Sequence, residues 1–138
     1  MNSNILLVDD ETRILDLLSI MLRELGCSVK TASHPEEALD LVNTEKFHVA
    51  FVDNLLGPVE GIELIGQMSK LDPDLQFVLM SGNPYIEAAR DALKKGVSGF
   101  LRKPFRVEDL LVSIDQVNRK REIEEQRKEI LSSLSNDA

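Results

Sequence analysis

The stretch "NILLVDDET", residues 4–12, decides the reading of this chain, because four consecutive apolar residues run straight into two aspartates and a glutamate. An unbroken apolar run such as Ile5–Val8 describes a strand covered on both faces; a half-exposed strand would alternate polar and apolar. Like charges gathered at the end of such a strand repel one another and are costly to desolvate. A purely structural segment gains nothing from them. A site that holds a cation requires them.

Working outward from that stretch, the same unit recurs. Ile14, Leu17, Leu18, Met21, Leu22 and Leu25 fall at helical spacing within 11–25, and Gly26 stops the helix. SVKTA at 28–32 is a more polar strand, suited to a sheet edge, and Ser33 with Glu36 suits a capping box for a helix carrying Ala38, Leu39, Leu41 and Val42. VAFV at 49–52 is the next buried strand and Gly61–Leu71 the next helix. FVLM at 77–80 follows, then a helix from near Pro84 to Gly96 and a short strand GFL at 99–101. A last helix begins after Pro104 and is expected to turn Leu110, Leu111, Ile114 and Val117 inward. Such alternation implies an α/β fold with a parallel sheet and helices on both faces, since right-handed crossovers place them there.

Parallel strands all finish at one edge, so their ends are neighbours. The first ends at Asp9 and Asp10, the third at Asp53, the fourth at Ser81 and Gly82, and the fifth leads to Lys103 and Pro104. Doubly wound sheets bind ligands outside these carboxyl ends. Three carboxylates are tolerable there if they share a divalent cation.

Composition narrows the partners. With 138 residues, 43% hydrophobic and 29% charged, the chain is one domain or one domain with a short attachment. Its net charge of -8 is uneven: residues 1–59 carry ten acids against four bases. That acidity argues against nucleic acid as a direct partner and suits a metal or basic protein partners. Cys27 is the single cysteine, which excludes a disulfide framework and a cysteine zinc site; it is expected simply to pack. No apolar run approaches the roughly 18–20 residues of a membrane span, and no signal peptide is evident, so no membrane partner and a cytoplasmic location are expected. His34 and His48 lack neighbours at metal-ligand spacing.

Taken together, the acidic pair after the first strand, the lone Asp53 after the third, Ser81 after the fourth and Lys103-Pro104 after the fifth resemble the receiver domain of two-component response regulators. Gly61 stands eight residues past Asp53, Phe100 three before Lys103, and Ser81 twenty-two before Lys103, as in that family. The resemblance covers about residues 3–118. It implies a flavodoxin-like five-stranded sheet of order 2-1-3-4-5 with five flanking helices. It also implies a phosphoprotein of two-component signal transduction rather than an enzyme, with autocatalytic phosphoryl transfer and dephosphorylation. A sensor histidine kinase or phosphotransfer protein would supply the phosphoryl group, and a downstream protein or fused output domain would read the change. Asp53 would accept it, Lys103 and Ser81 would hold phosphoryl oxygens, and Mg²⁺ would sit on Asp10, Asp53 and the Leu55 carbonyl, with Asp9 acting through water. Ser81 and Phe100 would be the switch residues.

Two departures stand out. In "DNLLGPVEG", residues 53–61, Asn54 stands where the family usually has an apolar residue and Gly57 where it usually has proline, with Pro58 one later, and glycine reaches conformations proline forbids. Beyond about residue 118 the chain continues with helix formers to 138, giving a receiver domain at 1–118 and an extension or linker at 119–138. In 118–129 Ile123 alone is apolar, followed by Ile130, Leu131 and Leu134. The extension reads as a solvated projecting helix or as a homodimer helix, and the chain as a piece of a larger regulator.

Other classes fit less well. An aspartate-nucleophile phosphatase wants a second acid where Leu55 stands, and a flavin or nucleotide binder wants a phosphate loop where residues 9–11 are acidic. A phosphorylation-independent scaffold of receiver shape is the remaining alternative; its members typically lose the acidic pair, the Asp or the Lys.

Overall fold

The computed structural model describes residues 3–57, 59–82 and 96–136. Its strands are β1 (Asn4–Val8), β2 (Ser28–Ala32), β3 (Val49–Asp53), β4 (Leu55–Leu56), β5 (Val59–Glu60), β6 (Gln76–Ser81) and β7 (Val97–Arg102). The described helices are α1 (Thr12–Glu24), α2 (Pro35–Thr44), α3 (Gly61–Leu71) and α4 (Val107–Asn136). The helix expected between Pro84 and Gly96 lies outside the described residues.

The five long strands form one parallel sheet in the order β2-β1-β3-β6-β7, which is 2-1-3-4-5 when the long strands alone are numbered. Strands β4 and β5 pair antiparallel as a two-residue hairpin between β3 and α3. The sheet separates two apolar layers. Leu6, Val8, Ala50 and Val52 point to one side with Ala38 and Val42 of α2 and Leu64, Ile65 and Met68 of α3. Ile5, Leu7, Phe51 and Met80 point to the other with Leu18 and Leu22 of α1 and Leu110, Ile114 and Val117 of α4. Ile5–Val8 is therefore covered on both faces, as the apolar run requires, whereas β2 lies at the edge and is mostly exposed. Cys27 is buried and packs in the α1–α4 layer.

Three local expectations are corrected. Leu17 is exposed and Ser19 is buried instead, because the inward line of α1 runs Leu15, Leu18, Ser19, Leu22 and leaves Leu17 on its flank. On α4, Leu111 is exposed for the same reason, one step round from the buried Leu110. The capping box is absent: α2 starts at Pro35 with His34 as its N-cap, so Ser33 lies too early and its Oγ donates to Glu37 Oε1 at 3.2 Å.

Gly99 lets α4 approach β7, since a Cβ there would lie 2.9 Å from Gln116 Oε1 and 3.1 Å from the Ser113 carbonyl. The same Gln116 Oε1 accepts the Phe100 N–H at 3.2 Å, which occupies a free donor of the edge strand. Helix α4 runs without a break through residue 118 over 30 residues, about 45 Å at 1.5 Å per residue. Beyond the sheet it remains tied to the domain: Gln76 Nε2 donates to Glu124 Oε2 at 3.3 Å, and Lys128 Nζ lies 3.9 Å from Asp74 Oδ1.

Candidate functional site

The register of the sheet brings the acids together. Val8 of β1 pairs with Val52 of β3, so Asp9 and Asp53 follow at the same level on adjacent strands. Asp9 is fully buried, Asp53 is nearly so, and Asp10 is exposed at the rim. One carboxylate oxygen from each of the three lies within 4.8 Å of the others. Lys103, just past β7, reaches in from the far side of the sheet: its Nζ is 2.7 Å from Asp9 Oδ2 and 3.3 Å from Asp53 Oδ1. The 103–104 peptide bond is cis.

Each group is held by its surroundings. Asp9 Oδ1 accepts the Glu11 N–H at 2.9 Å, so both Asp9 oxygens have protein partners. Asp10 Oδ2 accepts the Gly57 N–H at 3.3 Å. Behind Asp53, Asn54 donates its N–H to the Met80 carbonyl at 2.7 Å, and the Asn54 carbonyl accepts the Gly61 N–H at 2.7 Å. Gly61 has no room for a side chain, since a Cβ would come within 2.0 Å of the Asp53 carbonyl oxygen. The Lys103 N–H donates to the Ser81 carbonyl at 2.9 Å, which ties the end of β6 to the residue just past β7.

Electrostatics follow from this geometry. Burial, then the negative charge of Asp9, raises the Asp53 pKa from 3.8 to about 6, against the pull of Lys103. Burial pulls Lys103 down, but its hydrogen bond to Asp9 and the charges of Asp53 and Asp9 outweigh it, and its pKa is raised. One ammonium group thus faces three carboxylates, and the balance favours a divalent cation.

The donor set fits one. Hard oxygen ligands around Mg²⁺ sit at about 2.0–2.1 Å from the ion, hence roughly 3 to 4 Å from one another. Carboxylates already gathered within 4.8 Å need little adjustment to meet that.

The remaining expected residues border this cluster. Ser81 closes β6, one residue past Met80, the strand partner of Asp53. Leu55 opens the β4–β5 hairpin two residues past Asp53, with its side chain exposed. Phe100 is half-buried against the layer that contains Leu6 and Leu64. The histidines stand apart from the chemistry: His34 caps α2, and His48 Nδ1 accepts the Asn4 N–H at 2.9 Å before β3. Sequence reasoning did not find the Gly57–Asp10 hydrogen bond or the Gln116 and Gln76 ties to β7 and α4. Nothing in residue type distinguishes those side chains from solvated ones.

With fold and site in hand, the likeness to known proteins is specific. The sequence profile of the response regulator receiver domain matches residues 5–115. The chain belongs to this family: it is a receiver domain of two-component response regulators. It is 33% identical over 116 residues to the uncharacterized transcriptional regulatory protein YesN of Bacillus subtilis, covering 82% of this chain and 32% of that protein. The chain therefore spans about a third of that curated relative's length. A CheY-like receiver domain protein from Methanospirillum hungatei superposes with a TM-score of 0.78 at 32% identity, over 94% of this chain and 99% of that one. A response regulator from Burkholderia pseudomallei, solved with a phosphorylated aspartic acid, calcium ion and citrate, gives a TM-score of 0.76 at 29% identity, over 98% and 85%. Among the described residues, no helix is long and apolar enough to cross a membrane.

Proposed function

We propose that Asp53 is the phosphoacceptor, that Mg²⁺ binds beside it on Asp10, Asp53 and the Leu55 carbonyl, and that Asp9 acts through water. The observation that carries this reading is the cluster itself: three carboxylates within 4.8 Å of one another, with Lys103 Nζ 3.3 Å from Asp53 Oδ1. Asp9 suits the indirect role because Lys103 and the Glu11 N–H already engage its oxygens.

An Asp53 carboxylate oxygen forms the new bond to phosphorus while the bond from phosphorus to the donor's imidazole nitrogen breaks, and the imidazole leaves with the electron pair. The product is an acyl phosphate, open to hydrolysis at the same site. Mg²⁺ supplies charge neutralisation for the incoming phosphoryl oxygens. Lys103 supplies a fixed positive charge and Ser81 a hydroxyl donor to those oxygens. Below pH 6 the metal-free carboxyl is largely protonated and a poor nucleophile; at neutral pH it is ionised.

The donor is a sensor histidine kinase or phosphotransfer protein, and the reader a downstream protein or an output domain in a longer chain. Relatives are called transcriptional regulators, so contact with nucleic acid belongs on this reading to parts of a full-length protein outside a receiver domain. Residues 119–138 serve as a helical extension or linker. The signal passes through Ser81 and Phe100: phenylalanine has no hydroxyl, so a change of its rotamer alters packing rather than hydrogen bonding.

Intact mass after incubation with acetyl phosphate or phosphoramidate and Mg²⁺ tests this. One added phosphoryl group is expected, abolished by chelator and by Asp53→Asn. Folded protein that stays unlabelled with an active donor would instead support the phosphorylation-independent scaffold.

A further inference from the structure

We infer that Gly57 is a positioning residue for the metal: its backbone N–H holds the exposed Asp10 carboxylate in the orientation that faces Asp9 and Asp53. This rests on the metal site proposed above. The N–H donates to Asp10 Oδ2 at 3.3 Å, across 47 residues of sequence. Among the described residues this is the hydrogen bond that Asp10 makes, whereas both oxygens of the buried Asp9 are engaged. An exposed carboxylate with no partner samples several rotamers, and fixing it in advance removes that entropy from the binding step.

The local backbone explains why glycine stands here. Gly57 directly follows β4 and has φ +61°, a region that residues with a Cβ rarely adopt. In that conformation the Gly57 N–H donates to Asp10 Oδ2. Proline could neither take the angle nor donate, since it has no N–H. The same short hairpin carries Leu55, whose carbonyl is the proposed backbone ligand. One loop thus presents a ligand of its own and orients the carboxylate of another element, so loop order and metal affinity rise together.

The test uses the full 138-residue chain and two readouts. Calorimetric titration with Mg²⁺ compares the wild type with Gly57→Asn and Gly57→Pro. Asparagine keeps the N–H and tolerates positive φ, and nothing lies within 4 Å of a Cβ at this position. The Asn variant is expected to bind close to wild type and the Pro variant about five-fold more weakly, the size of one net hydrogen bond. Independently, in metal-free protein, the Gly57 amide proton is followed by NMR in wild type and Asp10→Ala. Its resonance is expected to move upfield and its temperature coefficient to steepen when the carboxylate is removed. A Pro variant that binds as tightly as wild type overturns the role of Gly57 alone, and a Gly57 amide indifferent to Asp10→Ala does the same even if the Pro variant does not fold. A wild type that takes up no Mg²⁺ overturns the metal site, and the role of Gly57 with it.

Discussion

Asp53 is the proposed phosphoacceptor, and its ionisation is set by burial and by Asp9 against a single ammonium group. Because its pKa is raised from 3.8 to about 6 in the folded chain, the native state binds a proton more tightly than the unfolded state between those values. The protonated carboxyl therefore contributes stability that is fully present below pH 3.8 and is lost as pH rises through 6. In chelator, the stability of the wild type in urea unfolding should fall by about 1–3 kcal/mol as pH rises from 3.8 through about 6. Asp53→Asn should flatten this dependence and be the more stable protein at pH 7. An unchanged pH profile in the variant would show that the carboxyl is not under the strain described. The acids were legible in the sequence because charge at the end of a buried strand has no structural use. The Gly57 amide was not, because a backbone donor leaves no mark in residue type.

Among the elements, the five long strands were read within a residue or two, since apolar runs such as VAFV have one reading once they alternate with amphipathic segments. The short β4–β5 hairpin, too brief for any periodicity, was not. Helix faces were read less well. Leu17 and Leu111 fit the helical period but sit on the flank of the buried line, and their exposure depends on which neighbour each helix meets. Gly61 shows how closely the elements must approach. Its spacing from Asp53 was visible beforehand; its reason is steric, as the start of α3 lies against the Asp53 carbonyl with no room for a methyl group. Gly61→Ala must displace the end of β3 or the start of α3, and backbone cannot yield as a flexible side chain does. We expect a loss of about 2 kcal/mol or more in urea unfolding, together with slowed phosphorylation. A variant with wild-type stability and labelling would show that the contact relaxes without moving Asp53.

For the whole molecule, the strand order was carried by the resemblance rather than by periodicity, since alternation alone permits several orders of a parallel sheet. The extension is where sequence and structure together say most about assembly. Ile123, Ile130, Leu131 and Leu134 are exposed, but Glu124 and Lys128 between them face the chain's own domain. An apolar seam this short falls below the three to four heptads that a coiled coil needs. The full chain and one ending at residue 119 should therefore both sediment as monomers at micromolar concentration. A dimer mass that reverts on truncation would instead make the extension an interface. The central claim, that burial among Asp9, Asp10 and Lys103 makes Asp53 the acceptor, is tested most directly by trapping the acyl phosphate with borohydride and mapping the reduced residue by peptide mass. The account predicts homoserine at position 53 and at no other carboxylate; reduction at Asp9, Asp10 or elsewhere, or none in protein labelled to one phosphoryl group, would contradict it.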